Sequence, residues 1–457
     1  MNLFLPSDQR PLHFVGIGGA GMGALALVAL SRGLPVSGSD LDVSGCADLV
    51  ARGARINSGH SAANVGMARA VVVSAAIPAG HVEVAEARAR GIPVVTRKDA
   101  LAGLIGSTRS VAISGTHGKT TTTVMTTEAL AAAGFEVTGL AGGRVESWGG
   151  NARLGGDELF VVEADEYDQA FLTLHPTIAV VNNVESDHLE CYGSLDALEG
   201  AFVTFAARAE RALVGNDSPG ADRVAARLSP RSTWRFGPGA TDLNLTDIEA
   251  TPTGTTATVT APGAGAFALS LRVPGLHNLR NATAALGSVL ALGGDAAAAA
   301  RALGEFTGVG RRFDRLGEFG GVAIVDDYAH HPTEIRATLA AARQAFPLRR
   351  IVAAFQPHLF SRTALHHDAM GSALGLADFA IVTDVYPARE QPMPGITGIL
   401  VADAARRHGV TTVYQPARAD LARTTLAALA PGDVLLTLGA GDITHLGREL
   451  RPMLERE

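Results

Sequence analysis

"SVAISGTHGKTTTT", Ser110 to Thr123, decides how the rest of the chain is read. A β-branched run leads into two glycines and a lysine, and "KTTTTVMTTEALAAAG" continues with helical composition. A strand, a glycine loop and a helix in that order is the setting that holds a phosphate chain. The common spacing G-x-x-x-x-G-K-[ST] fails here. Ile113 stands five residues before Gly118, and the nearest upstream glycine is Gly115, three residues back. The parts a triphosphate needs are nonetheless present. Gly115 and Gly118 let backbone N–H groups converge, Lys119 brings a cation to the β- and γ-phosphates, and Thr120 offers a hydroxyl to magnesium. Lysine is normally a common residue, yet only Lys98 and Lys119 occur among the 38 basic residues. A lysine kept inside this loop therefore points to a chemical need.

Outward from the loop, short apolar runs alternate with alanine- and leucine-rich stretches of helical length. "LHFVGI", "LFVVEA", "TIAVVNNV", "RIVAAF", "FAIVTDV" and "DVLLTLG" are the runs. The alternation predicts βαβ units, mainly parallel sheets and an α/β fold. The 457 residues correspond to about three domains. The expected divisions are 1–105, 106–312 and 313–457. Within the second, "ATPTGTTATVTAPGAGAFALSLRVPG" alternates polar and apolar residues, as an antiparallel insertion would.

Gly16, Gly18 and Gly21 spell G-x-G-x-x-G between a strand and a helical run, and Asp40 ends the next strand. Backbone amides and a helix start at such a loop read a diphosphate, whatever base is attached. On this block alone an NAD-dependent dehydrogenase is a rival reading. Two other strand ends are acid-rich. "FVVEADEYD" carries Glu163, Asp165, Glu166 and Asp168, and "NNVESDHLE" carries Glu185, Asp187 and His188. Acids at the carboxyl ends of neighbouring parallel strands converge on the crevice that the phosphate loop occupies, which favours a metal site. The third block adds "VDDYAHHPTEI" and "FQPHLFSRT", again after strands, where Arg362 can clamp a carboxylate. His366 and His367 are expected on the exposed face of a helix.

Composition narrows the class. Hydrophobic residues make up 47% and the net charge is −7, which argues against general nucleic-acid binding. No apolar run approaches the ~18 residues of a membrane span. "MNLFLPSDQRPL" lacks the pattern of a signal peptide. Cys46 and Cys191 have neither disulfide-framework nor zinc spacing. A cytoplasmic protein acting on small molecules is the expectation, with no membrane and no nucleic acid among its partners.

"HFVGIGGAGMGALA", "SGTHGKTTTT", "VVEADEYD", "NNVESDHLE", "GLHNLRNATAA", "GVGRRFDRLGEF", "VDDYAHHPTEI" and "FQPHLFSRT" together resemble the Mur ligases. The likeness is nearest to the branch that joins L-alanine to UDP-N-acetylmuramate in peptidoglycan precursor synthesis. It runs in family order from about residue 13 to "TLGAGDI", and the shorter GTxGKT loop is that family's ATP loop. The resemblance implies a Rossmann-like amino-terminal domain, a central P-loop ATPase and a Rossmann-like carboxyl-terminal domain. It implies ATP and Mg2+ as cofactors, and a monomer or homodimer. Gly16, Gly18, Gly19, Gly21, Met22 and Asp40 would hold the UDP-sugar. Gly115, Thr116, His117, Gly118, Lys119, Thr120 and Thr121 would form the ATP loop, with His277, Asn278 and Asn281 on the adenine side and Arg311 and Arg312 at a phosphate-facing hinge, "GVGRRFD". Thr120, Glu163 and His188 match the metal positions. Lys119, Glu163, His188 and Arg312 match the catalytic ones. Tyr328, His330, His331, His358 and Arg362 match segments lining the amino-acid pocket.

Two departures stand out. Some relatives read "QPHR" where this chain has Leu359, and no lysine follows Lys119, so the carbamylated lysine of several Mur ligases has no counterpart. The neighbouring alternative is the ligase that recycles a tripeptide onto the same sugar. A dehydrogenase leaves the second loop and both acidic strand ends unused, and a non-catalytic nucleotide-binding module leaves the third block unexplained.

Overall fold

The computed structural model describes residues 8–388 and 390–455, so the first seven residues of "MNLFLPSDQRPL", read above as no signal peptide, lie outside the described residues. Three sheets carry the chain, and most of their pairings are parallel, as the βαβ alternation predicts. The first has five parallel strands in the order Arg55–Ser58, Val36–Asp40, Leu12–Val15, Ala70–Val73, Val94–Thr96. The chain starts in the middle and winds outward both ways, so the loop after Leu12–Val15 lies where strand order reverses. Open α/β sheets bind ligands at that point.

The second sheet has ten strands. Its parallel centre runs Thr233–Gly237, Arg211–Gly215, Ile178–Val181, Arg109–Ser114, Leu159–Glu163, Val137–Val145. Gly150–Arg153 closes one edge antiparallel to Val137–Val145. The other edge is the meander Leu243–Thr251, Gly254–Ala261, Gly265–Leu271, where the sequence predicts an insertion. Connections of two or three residues between these strands allow only antiparallel neighbours. Strand Arg109–Ser114, which feeds the second glycine loop, lies between Leu159–Glu163 and Ile178–Val181, so both acid-bearing strands flank it. The third sheet runs Asp314–Phe319, Val322–Asp327, Val434–Leu438, Ile351–Phe355, Phe379–Val382, Thr411–Tyr414, with only its first pair antiparallel.

The chain forms two compact units. One comprises the residues up to Asp247 with Ala257–Leu269 and Arg280–Glu305; the other comprises Ile248–Thr256, Ser270–Leu279 and the residues from Phe306 on. Two sheets share the first unit because their apolar sides form one continuous core. It runs from Leu12, Leu25 and Leu27 through Leu140 and Phe160 to Phe171, Phe202 and Phe205. Phe171 stacks on Phe205 and meets Phe202 edge-on, with centroids 5.0 and 5.2 Å away. Arg32 adds a polar tie, pairing with Asp157 at 2.8 Å while lying over the Phe160 ring. In the second unit separate cores form on the two faces of its sheet, one around Phe355, Leu339 and Met370, the other around Leu435, Ile443 and Leu450. None of the described helices is long and apolar enough to cross a membrane.

Candidate active site

In the first unit, the turn after Leu12–Val15 takes the shape its glycines permit. Gly16 has φ +76°, which a side chain would strain. The Gly16 and Ile17 amides donate to the Ser39 carbonyl at 2.8 and 3.1 Å, and Gly18 N donates to Asp40 Oδ2 at 2.9 Å. Asp40 thus braces the loop directly. Gly19 caps the helix Ala20–Ser31, Gly21 lies in its first turn, and Met22 is buried beneath. Below the loop lies a buried carboxylate with no role in the sequence reading. Glu83 accepts from Ser39 Oγ (2.6 Å), Asn64 Nδ2 (2.8 Å) and Ser61 N (3.1 Å), with His13 Nε2 at 3.4 Å. Burial works to raise its pKa, but these donors outweigh it and bring the carboxyl down to about 2.

The second glycine loop, residues 115–118, is held by the strand beside it. Thr116 N donates to Asn183 O (3.1 Å) and His117 N to Asn183 Oδ1 (2.8 Å), while Glu185 N donates back to Thr116 Oγ1 (2.8 Å). His117 Nε2 lies 3.3 Å from Glu185 Oε2. Gly118 caps the helix Lys119–Ala132 with φ +78°; a Cβ there would come within 2.8 Å of Asn281 Oδ1. Four consecutive threonines are poor helix formers, but Thr120, Thr121, Thr122 and Thr123 are all buried. Thr122 bridges Asn182 Nδ2 (3.0 Å) and Asn281 Oδ1 (3.1 Å), so tertiary bonds override propensity.

Lys119 Nζ donates to Gly115 O (2.7 Å), Thr116 O (3.3 Å) and both oxygens of Glu166 (2.9 Å each). Burial alone would lower the lysine's pKa. The charges of Glu166, Asp165 and Glu163 outweigh it, so Lys119 stays a cation with a raised pKa. Side chains along "EADEYD" divide accordingly. Glu166 turns inward to Lys119, Asp168 pairs with Lys98 (2.8 Å), and Glu163 accepts from Gly142 N. Both lysines of the chain therefore engage this one segment. His188 sits at φ +54° with its ring 5.1 Å from that of Tyr167. Thr120, Glu163 and His188 offer two oxygens and an imidazole, a small and partly hard donor set of the kind Mg2+ accepts when phosphates and water complete the shell.

The second unit gathers the third block. Val309–Arg312 close a small bridge, Arg311 O accepts from Tyr328 N (2.8 Å), and Phe313 N donates to Asp327 Oδ2 (2.7 Å). From Arg311 onward the expected hinge segment is thus fastened to its own sheet, and Gly308, at φ +112°, holds the left-handed turn before it. Arg311 and Arg312 flank the Tyr328 ring, each 4.8 Å from its centroid. Arg311 also donates to Gly439 O (2.9 Å) and lies 3.5 Å from Asp326, so much of its guanidinium is committed. Burial raises Asp327 to about 6 against the pull of Arg312.

His330 Nδ1 lies 2.9 Å from Tyr328 O, which requires the proton on Nδ1 and leaves Nε2 as an acceptor. Burial, helped by Arg362 and His358, lowers its pKa to about 3. His331 caps the helix Pro332–Ala345 in a capping box with Glu334. That is a structural duty the residue pattern did not disclose. His358 stacks on Tyr386 and accepts from Arg362, 3.2 Å away. Leu359, the departure noted in "FQPHLFSRT", is apolar and 3% exposed. His366 is half-buried against the His331 ring at 4.9 Å, rather than on an exposed face. His277 and Asn278 open the helix Leu276–Ala291, and Asn278 Nδ2 donates to Pro274 O (2.8 Å). Asn182, Asn183 and Glu83 have no part in the sequence reading, whereas Glu166, read there as one of the converging acids, is the one that pairs with Lys119. The doubled asparagine at a strand end was the one available signal.

Three consecutive stretches match the domains of one family in order. Residues 11–109 match the "Mur ligase family, catalytic domain", 113–289 the "Mur ligase middle domain", and 311–441 the "Mur ligase, glutamate ligase domain". The chain belongs to the Mur ligase family. Among Mur ligases it is 44% identical to the UDP-N-acetylmuramate–L-alanine ligase of Paenarthrobacter aurescens, across 95% of each chain. The crystal structure of a UDP-N-acetylmuramate-alanine ligase from Thermotoga maritima superposes with a TM-score of 0.83 at 30% identity, over 98% of this chain and 99% of that one. A murein peptide ligase from Psychrobacter arcticus covers the same shares with a TM-score of 0.74 at 25% identity. The three-domain α/β architecture expected of a Mur ligase is the one observed.

Proposed function

We propose that this chain is an ATP-dependent ligase that joins L-alanine to the lactyl carboxylate of UDP-N-acetylmuramate through an acyl phosphate, in cytoplasmic peptidoglycan precursor synthesis. The observation that carries this reading is the 44% identity to an enzyme of that name over nearly the whole of both chains. The ordered family domains support boundaries near 105 and 312 between a sugar-nucleotide, an ATP and an amino-acid domain.

The residues have these roles in the reading. Gly16, Gly18, Gly19, Gly21 and Met22 form the diphosphate loop, braced by Asp40. Gly115 to Thr121 wrap the ATP phosphates, with His277, Asn278 and Asn281 on the adenine side. Two anions must meet when the lactyl carboxylate attacks the γ-phosphate, and the cationic Lys119 offsets charge on the group in transfer. Thr120, Glu163 and His188 would hold Mg2+, which supplies further charge neutralisation at the phosphates when bound. His188 serves there only with an unprotonated ring nitrogen.

The neutral amine of alanine then attacks the acyl carbon, and phosphate leaves. Arg312 is assigned to the phosphate by its match to the family hinge; Arg311, already bound to Gly439 O, mainly anchors the segment. Tyr328, His330, His358 and Arg362 line the amino-acid side, with Arg362 matched to the carboxylate and His330 Nε2 an acceptor for the amine. His331 contributes through its helix cap.

The test is phosphate release with ATP, magnesium and UDP-N-acetylmuramate, adding single amino acids or the tripeptide. Release is expected to require both the sugar nucleotide and L-alanine. Release driven by the tripeptide instead would give the chain to the recycling branch, and release independent of the sugar would overturn the reading.

A further inference from the structure

Arg97 has no role in the reading above, and its surroundings are electrostatically incomplete. It is the first residue of the helix Arg97–Ile105, where the helix dipole already disfavours a cation. Its side chain reaches back across the diphosphate loop: a Cβ on Gly21 would lie 2.9 Å from Arg97 Nη1 and 3.4 Å from its Cδ. The arginine therefore passes directly over the open face of Gly21. The guanidinium arrives at the amino-terminal turn of a second helix, Ala20–Ser31, which has neither a side-chain cap nor an acid in its first turn. Two positive features face one place, and like charges there repel unless an anion lies between them.

The side chain is 29% exposed, yet its only polar partner among the described residues is Asp165, at 3.9 Å, too long for a hydrogen bond. Its neighbour Lys98 is committed, donating to Asp168 O (3.1 Å) and Oδ2 (2.8 Å). On the loop itself, the Gly18 amide is taken by Asp40, whose negative charge stands beside the expected diphosphate. The loop therefore has an amide fewer and an acid nearby, and Arg97 is the cation placed to offset both.

We propose that Arg97 binds the diphosphate of the sugar nucleotide, donating from its guanidinium to the oxygens that the glycine loop cradles. The proposal rests on the assignment of that loop to UDP-N-acetylmuramate. It makes Arg97 a binding residue contributed by a helix some 75 residues from the loop in sequence.

Calorimetric titration of wild type, Arg97→Met and Arg97→Lys with UDP-N-acetylmuramate, UDP and a non-hydrolysable ATP analogue tests it. Arg97→Met is expected to weaken both uridine nucleotides by about 10- to 100-fold, the range of a lost charge-assisted contact. Arg97→Lys, which keeps the charge but loses the fork, should recover part of the loss. Affinity for the ATP analogue should stay within about twofold, as befits a separate phosphate site. Unchanged UDP binding in Arg97→Met, or equal weakening of all three ligands, would overturn the proposal. A wild-type protein that binds ATP but neither uridine nucleotide would overturn the loop assignment itself, and the proposal with it.

Discussion

Replacing Glu83 by glutamine should cost the protein about 3 kcal/mol at neutral pH, and the cost should disappear in acid. Glu83 is fully buried and its carboxyl is held at about 2, against an ordinary value of 4.5. At about 1.4 kcal/mol per pH unit, that gap corresponds to about 3 kcal/mol of folding free energy. The folded carboxyl resists protonation more than the unfolded one. Its contribution is therefore complete above pH 4.5 and fades as the pH falls toward 2. Glutamine keeps the shape but not the charge, and its amide group meets hydroxyl and amide donors where an oxygen is wanted.

The assay is urea unfolding of both proteins from pH 7 down to pH 3.5, following the transition of the first unit. The difference should hold steady to about pH 5 and then shrink. The loop above should also respond, because Ser39 donates to Glu83 while its carbonyl receives the Gly16 and Ile17 amides. KM for the sugar nucleotide should rise while KM for ATP holds. Equal stability at pH 7, or a difference that does not change between pH 5 and 3.5, would refute the reasoning.

Gly142→Ala tests the placing of Glu163. A Cβ there would stand 2.6 Å from Glu163 Oε2, and the carboxylate has to move. Turnover should fall about tenfold or more, as expected for a misplaced charged group, and titration should show a higher magnesium requirement with unchanged sugar-nucleotide binding. His330→Gln probes the second unit. The folded His330 has a pKa near 3 against an ordinary 6.5, so the wild type loses stability as pH falls from 6.5 toward 3. The variant should show a flatter stability profile between pH 6.5 and 4 in thermal unfolding.

The order of βαβ units, the two glycine loops and the acidic strand ends are all readable from the residues alone. These are local signals: a period, a turn residue, a lysine retained after a strand. "GTHGKTTTT" was legible as a phosphate loop despite its short spacing because a strand precedes it and a helix follows. Partnership was another matter. No period or spacing pairs Lys119 with Glu166 rather than with Glu163 or Asp165. Which acid turns inward is settled by which one the packed strand buries. His331 and His330 stand side by side in sequence, yet one caps a helix and the other is a half-buried ring whose desolvation keeps it neutral. Glu83 and Arg97 gave no signal at all. Their surroundings come from strands and helices tens of residues away, and only packing those elements together makes one a buried anchor and leaves the other a cation with no hydrogen bond among the described residues.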